Sequence, residues 1–278
     1  MTAEFLPGSI PGPIPGPTLG VAICALNERA ALPRLLTRLT SIRDAADCAD
    51  LVVVADGGST DGTPEIAAAG GARVLKVGRG RGVQLRAAAE VLLEADLDVL
   101  LFLHADSVPR LGSVAAVRAA FASTEDSPVR ATAMRQVIEA EGRMFRWIER
   151  AANARSRRGM VYGDSGLALR ADLYRESGGF AEIPLFEDVD LSRRIRRVSG
   201  IHLVETATLV ISARRWREEG LLRSSVRNWI LRGMYECGVS PERLVRLYRP
   251  FSGRSGSPAA AKGRGDHVEN DLQPPTAP

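Results

Sequence analysis

An α/β fold on a mainly parallel central sheet, with helices on both faces, is what this sequence predicts, and two observations predict it. Apolar strand-like runs alternate with helical segments from Leu19 to Leu103, the rhythm of a parallel sheet covered on both sides. Three of those runs end in acidic loops: Asn27-Glu28, the octet Asp56 to Thr63, and His104-Ala105-Asp106. In parallel strands such loops gather along the carboxyl edge, where open α/β sheets bind ligands.

The elements follow in order. Leu19 to Leu26 is apolar without alternation and reads as a buried strand. Leu32 to Ser41 reads as a helix, Leu51 to Ala55 as a strand, and Pro64 to Ala69 as a helix opened by proline in its first turn. Arg73 to Val77 is a third strand, Val83 to Glu94 a helix and Val99 to Leu103 a fourth strand. After Asp106 the alternation weakens. Val114 to Ala122 reads as helical, Thr132 to Ile138 as an edge strand, and Arg143 to Arg155 as a helix carrying Phe145, Trp147 and Ile148. Gly166 to Arg170 suits a further strand, with a helix from near Asp172 and an amphipathic one from Glu187-Asp188 to Val198. No internal repeat is visible. The expected organisation is a disordered Pro/Gly leader over 1–17, a catalytic-type α/β domain over 18–215, a helical extension over 216–250 and a disordered tail over 251–278.

Composition narrows the class. With 278 residues and 45% hydrophobic content the chain can bury a sizeable core. The 37 basic and 33 acidic residues leave a net charge of +4, and Lys76 and Lys262 are the only lysines. Arginine suits bidentate binding of phosphate or carboxylate. The arginines interleave with acids and only 5% of residues are aromatic, which disfavours nucleic acid as a partner. Cys24, Cys48 and Cys237 lie far apart with no CxxC pair, against a disulfide scaffold or a thiolate zinc site. The opening segment lacks a basic stretch and an uninterrupted apolar run, and no stretch reaches the ~18 apolar residues of a membrane span. A cytoplasmic location is expected, with any contact to the inner face of the membrane peripheral.

Each loop carries its own chemistry. Asp56, after Val52-Val53-Val54-Ala55, can accept a hydrogen bond from a uracil or ribose group while the glycines behind it bring backbone amides to a ligand. The same residues also suit an ordinary Asp/Gly turn and helix cap. Asn27-Glu28 equally fits a helix N-cap with an acidic first turn. Gly78-Arg79-Gly80-Arg81-Gly82 fails the GxGxxG pattern from either Gly78 or Gly80. A Gly-rich helix start with Arg79 and Arg81 can still hold a diphosphate. A strand-end carboxylate can hold a divalent cation, and Asp106 is placed for it. Glu187 and Asp188 lie at the positive end of a helix, which favours their ionised forms. Leu222, Val226, Trp229, Ile230 and Gly233 share one helical face with Arg223 and Arg227 off it. That face suits either a membrane surface or the domain's own core.

The order and spacing of these motifs resemble the family-2 glycosyltransferases, which have the GT-A fold and transfer a sugar from a nucleotide-diphosphate donor. The likeness runs over about Leu19 to Tyr248 and is strongest in the octet, which resembles the family's DDGSTDGT element with one acid where many members have two. It implies nucleoside contact for Asn27, Glu28 and Asp56. A GRxxQ-like stretch, Gly80-Arg81-Gly82-Val83-Gln84, implies phosphate contact for Arg79 or Arg81. Asp106 matches the last Asp of the DXD motif and implies a Mn2+ or Mg2+ cofactor, with His104 in place of the first Asp. The ED motif, Glu187-Asp188, implies Asp188 as general base of an inverting transfer. Ser212-Ala213-Arg214-Arg215-Trp216 resembles QxxRW, which implies Arg215 on the diphosphate and Trp216 over the acceptor. HAD, ED and SARRW together resemble a small soluble bacterial subgroup. The expected partners are a nucleotide-sugar donor, UDP-linked, and a hydroxyl or carboxylate acceptor of lipid-like kind, with peripheral membrane contact through 221–234. A nucleotidylyltransferase shares the sheet, but Gly20 to Glu28 has no Gly-rich run containing a catalytic Lys or Arg. A non-catalytic nucleotide-binding module would keep Asp56 and have no use for Asp188.

Overall fold

A computed structural model describes residues 16–40, 45–122 and 129–247. The expectations for residues 1–15 and 251–278 concern segments outside that range. The first half is built from strands β1 (Leu19–Ala25), β2 (Leu51–Asp56), β3 (Arg73–Lys76) and β4 (Val99–His104), linked through helices α1 (Leu32–Thr40), α2 (Thr63–Ala69) and α3 (Arg81–Glu94). The second half contains β5 (Ser107–Pro109), α4 (Ser113–Ala122), β6 (Ala131–Glu139), α5 (Arg143–Arg157), β7 (Ala168–Arg170), α6 (Ala171–Glu176), α7 (Glu187–Val198), β8 (His202–Ser212), α8 (Arg214–Glu219), α9 (Leu221–Glu236) and α10 (Pro241–Leu247). All eight strands form one sheet in the order β3-β2-β1-β4-β7-β6-β8-β5.

β1 is buried along its whole length and flanked by parallel neighbours, β2 and β4. Its odd-numbered side chains Leu19, Val21 and Ile23 pack with Leu32, Leu35, Leu36 and Leu39 of α1 and with Val114, Val117 and Phe121 of α4. Its even-numbered Ala22 and Cys24 pack on the other face with Leu85, Ala88, Ala89 and Leu92 of α3, and with α6 and α7. Two-faced burial explains why the strand is apolar without alternation. The chain leaves β1 toward β2 and β3, then crosses back over β1 to place β4 on its other side. The carboxyl ends of β1 and β4 are therefore a topological switch point, the crevice in which such sheets hold ligands.

Register brings the three loops level. Ala25 lies opposite Asp56, and Cys24 opposite His104. Gln84 of α3, 3% exposed, locks this edge: its Nε2 donates to the carbonyls of Ala25 and Ala55, both at 2.8 Å.

The second half departs from two expectations. Thr132 to Ile138 is an interior strand, not an edge: β6 pairs antiparallel with β7 and parallel with β8. β8 has no counterpart among the elements expected from the sequence. Its register against β6 jumps from Met134 opposite Val204 to Arg135 opposite Thr208, so Glu205, Thr206 and Ala207 bulge out and break the period-2 pattern. At the carboxyl end, α9 and α10 form a small apolar cluster with Leu185, Leu231 and Leu244. The expected division at residue 215 falls within α8.

Replacing Gln84 by Ala removes one hydrogen bond from each of two buried strand-end carbonyls, although that of Ala25 keeps the N–H of Gly57 at 3.0 Å. We expect Gln84→Ala to lower unfolding free energy by about 1–3 kcal/mol, measured as a shift in urea midpoint with an unchanged slope.

Candidate active site

Asp56 is 2% exposed and faces its own turn. One carboxylate oxygen accepts the backbone N–H groups of Gly58 and Ser59, both at 3.0 Å, and the other accepts the Ser59 hydroxyl. Gly58 needs the freedom of glycine there, at φ 91°. Asn27, itself left-handed at φ 55°, is stitched to the same turn. Its N–H donates to Ser59 Oγ at 2.8 Å, and its Oδ1 accepts from Thr60 N–H at 2.9 Å. The β1 and β2 loops are thus one rigid wall.

Glu28 continues that wall and meets α8. Both its oxygens accept from a terminal nitrogen of Arg214, at 2.9 and 2.8 Å. Burial pushes the Glu28 carboxyl above the ordinary range, and Arg214 works against that rise. The arginine that joins this wall is Arg214. Arg215 and Trp216 follow it in α8, and the Trp216 ring stands edge-on to Phe145 of α5, centroids 6.0 Å apart.

On the other face, α3 approaches α7 closely. A Cβ on Gly82 would collide with the Ala181 carbonyl oxygen and stand 3.3 Å from Glu187 Cβ. The second glycine of the Gly80-Arg81-Gly82 stretch is therefore a packing requirement. Arg81 uses the approach to reach Glu187, Nε to Oε1 at 2.8 Å, while Arg79 is exposed beside it. Glu187 is 1% exposed, and its Oε2 has no hydrogen-bond partner. Burial raises its pKa, Arg81 opposes the rise and Asp188 adds to it.

Asp188 faces β4 across a glycine. Its Oδ2 accepts the N–H of Gly163 at 2.6 Å. A Cβ at Gly163 would sit 2.8 Å from His104 Nε2 and 3.1 Å from Asp188 Oδ2, so any larger residue would wedge the two apart. The buried His104 Nε2 has no partner. Burial holds its pKa below the usual imidazole value, helped by Arg81 and resisted by Asp106, Asp164 and Asp188. Asp106 lies two residues on, half-buried, with its backbone carbonyl accepting from Ser212 N–H at 3.3 Å. Cys24, at the floor beside these groups, stays a neutral thiol because burial pushes it up to about 12.

Asn27, Glu28, Asp56, His104 and Asp106 therefore gather at the switch point, with Arg81, Glu187 and Asp188 brought to them by α3 and α7, and with Asp56 and Glu187 almost fully buried. The sequence carries Arg214 inside the Ser212-to-Trp216 motif and Gly163 inside the Tyr162-to-Gly166 stretch without singling out either residue, and it offers Arg155 only as the end of a helix.

Residues 20–159 match the family model described as Glycosyl transferase family 2. The chain belongs to this family. Among solved structures, this family-2 glycosyltransferase is similar to S. aureus TarS 1–349, with 13% identity, 83% of this chain and 69% of that chain covered, and a TM-score of 0.53. It is also similar to glucosyl-3-phosphoglycerate synthase from Mycobacterium tuberculosis in complex with Mn2+, UDP and phosphoglyceric acid, with 21% identity, 69% and 70% covered, and a TM-score of 0.48. No curated protein matches the chain. At these identities the shared feature is the fold.

Because the folded pKa of Glu187 lies above the 4.5 of a free glutamate, protonation favours the folded state. Wild-type stability therefore falls as pH rises from 4.5 through the folded value. We expect Glu187→Gln to melt higher than wild type at pH 7, with the difference vanishing below about pH 4, in melting curves recorded across that range.

Proposed function

We propose that this family-2 glycosyltransferase moves a hexose, with inversion, from a UDP-linked donor to a hydroxyl or carboxylate acceptor. The observation that carries the proposal is the Gly163 junction. One glycine donates its N–H to the carboxylate of Asp188 and, having no Cβ, leaves room for His104 on its other side, so the candidate base faces the strand end that carries Asp106.

Asn27 and Asp56 hold the turn against which the nucleoside packs. The three hydrogen bonds Asp56 accepts leave one of a carboxylate's roughly four lone pairs for the base. Glu28 fixes Arg214, and Arg214 with Arg79 and Arg81 places positive charge around the diphosphate. Arg215 adds to that charge on the diphosphate from α8, and Trp216 covers the acceptor side.

The residues present fit a divalent cation. No three His, Cys, Asp or Glu among the described residues could hold a metal unaided. One strand-end carboxylate beside a neutral imidazole is the sparse set expected when substrate phosphates supply most of the coordination. Asp106 would hold Mn2+ or Mg2+, with His104 near it, and the ion would neutralise charge developing on the leaving diphosphate. Asp188 takes the proton of the acceptor hydroxyl as its oxygen bonds to the anomeric carbon. The bond from that carbon to the diphosphate breaks, and UDP leaves with the electron pair. Glu187, held by Arg81, fixes the start of α7 so that Asp188 stays in line.

Peripheral membrane contact through 221–234 belongs to the same proposal. Val226, Trp229 and Ile230 of α9 are exposed, and Trp229 lies 6.3 Å from the exposed Trp147, centroid to centroid. Exposed Arg143, Arg150 and Arg223 surround them, a charge pattern that matches an anionic bilayer surface.

UDP with Mn2+ should raise the melting temperature, since a ligand at ~100 times its dissociation constant adds about 2.7 kcal/mol. Asp106→Asn should remove the metal dependence of that shift. Asp188→Asn should keep the shift and lower kcat by about 100- to 10,000-fold. No shift with any nucleoside diphosphate, or full turnover in Asp188→Asn, would overturn the reading. For the membrane face, co-sedimentation with phosphatidylglycerol vesicles should be lost in the double variant Trp229→Ser, Ile230→Ser. Binding that persists, or concentration-dependent self-association in its place, excludes this face as the lipid contact.

A further inference from the structure

Tyr162 is gripped by two arginines. The guanidinium carbon of Arg155, from α5, lies 3.7 Å from the ring centroid, and that of Arg232, from α9, lies 4.4 Å from it. Stacking occupies the face of a guanidinium and leaves its in-plane N–H groups available. Arg155 donates from Nε to the Met160 carbonyl at 3.3 Å, and its terminal nitrogens donate to no described residue. No carboxylate among the described residues lies within ion-pair distance of it. Burial holds its pKa below the usual arginine value, the nearby Arg232 adds to that, and Asp164 and Asp188 resist from further off. Arg232 has one carboxylate partner, Glu236, at 2.6 Å. Asp164 is itself engaged by Gln136 Nε2 at 2.9 Å.

Two like charges packed on one ring, one of them mostly buried and without a counterion, are costly unless an anion joins them. Their position is informative, because Tyr162 immediately precedes Gly163, whose N–H holds Asp188. We infer that Arg155 and Arg232 form an oxyanion subsite for the acceptor, which carries a phosphate or carboxylate close to the hydroxyl that is glycosylated. This deepens the transferase reading and rests on it for the role of Asp188. Bidentate guanidinium chemistry suits both oxyanions. The arginine pair would also fix the orientation of the acceptor, so that its hydroxyl rather than its anionic end meets Asp188.

The test is calorimetric titration of the full chain with inorganic phosphate, in the presence of saturating UDP and Mn2+ so that donor-side arginines are covered. Saturable binding is expected, weakened about 10-fold in each of Arg155→Gln and Arg232→Gln and kept in Arg155→Lys. If Arg155→Gln does not fold, Arg232→Gln decides, because that side chain is partly exposed and its other partner, Glu236, lies on the same helix. Phosphate binding that is absent, or unchanged in Arg232→Gln, overturns the subsite. Two sources share this chemistry: phosphatidic acid vesicles that displace phosphate identify a lipid headgroup, and vesicles that do not identify a soluble acceptor. The readout needs no turnover. Loss of the UDP melting shift with phosphate binding retained on Arg155 and Arg232, measured without UDP, would sink the transferase reading and leave the oxyanion site standing.

Discussion

The ion pair between Arg81 and Glu187 is the interaction on which the geometry of the crevice depends. It joins the start of α3, among the first-half strands, to the start of α7 in the second half. It forms because Gly82 lets the two helices approach until only a hydrogen side chain fits between α3 and Ala181. The carboxylate is buried while the guanidinium is a third exposed. The pair is thus asymmetric, with the desolvation cost on Glu187 and relief from a partner that keeps water. That is why burial outweighs Arg81 in setting the Glu187 pKa. A fully apolar contact there would pack as well, but it would remove the arginine from the crevice. The cost is consistent with a residue retained for placement and charge.

Charge elsewhere in the crevice follows the same logic of pairing across halves. Glu28 from the first loop takes Arg214 from α8, so the last part of the described chain is pinned to the first. Asp188 takes the amide of Gly163, which pins α7 to the loop before β7. Each contact joins segments far apart in sequence, and each uses a group that would be costly to bury alone. The result is a crevice whose walls are stitched by polar bonds and whose floor is apolar, with Cys24 kept as a neutral thiol. Preorganised dipoles and charges of this kind act on a developing charge without having to reorganise.

Much of the first half was legible in the sequence because its physics is local. The β1, β2 and β4 strands are continuous apolar runs, Pro64 opens α2, and each acidic loop ends its strand, so their gathering on one edge follows from parallel pairing alone. The second half was less legible because it depends on pairing. β6 looks like an edge strand because its polar residues Arg135 and Gln136 face partners that only the fold supplies, and its place between β7 and β8 is decided by long-range registration. β8 hides behind the bulge at Glu205 to Ala207, where period-2 alternation fails. Arg214 and Arg215 cannot be told apart by sequence: which of two neighbours reaches Glu28 depends on the phase at which α8 begins. Tyr162, Arg155 and Arg232 come from a loop and two helices, and no spacing links them.

The division between legible and hidden parts has a functional meaning. Nucleotide recognition reuses one strand-edge geometry, so its residues recur in short ordered motifs that follow the sheet. On the acceptor side proposed above, α5, the loop at Tyr162, α7 and α9 meet through single close contacts such as Gly163 and the arginines on Tyr162, while Leu185, Leu231 and Leu244 pack α9 and α10 together. A residue can join or leave that assembly by a change in helix phase, with the sheet undisturbed. Donor chemistry can therefore stay constant while acceptor chemistry varies. On the inference drawn above, the arginines that stack on Tyr162 are where this chain's own acceptor preference would lie.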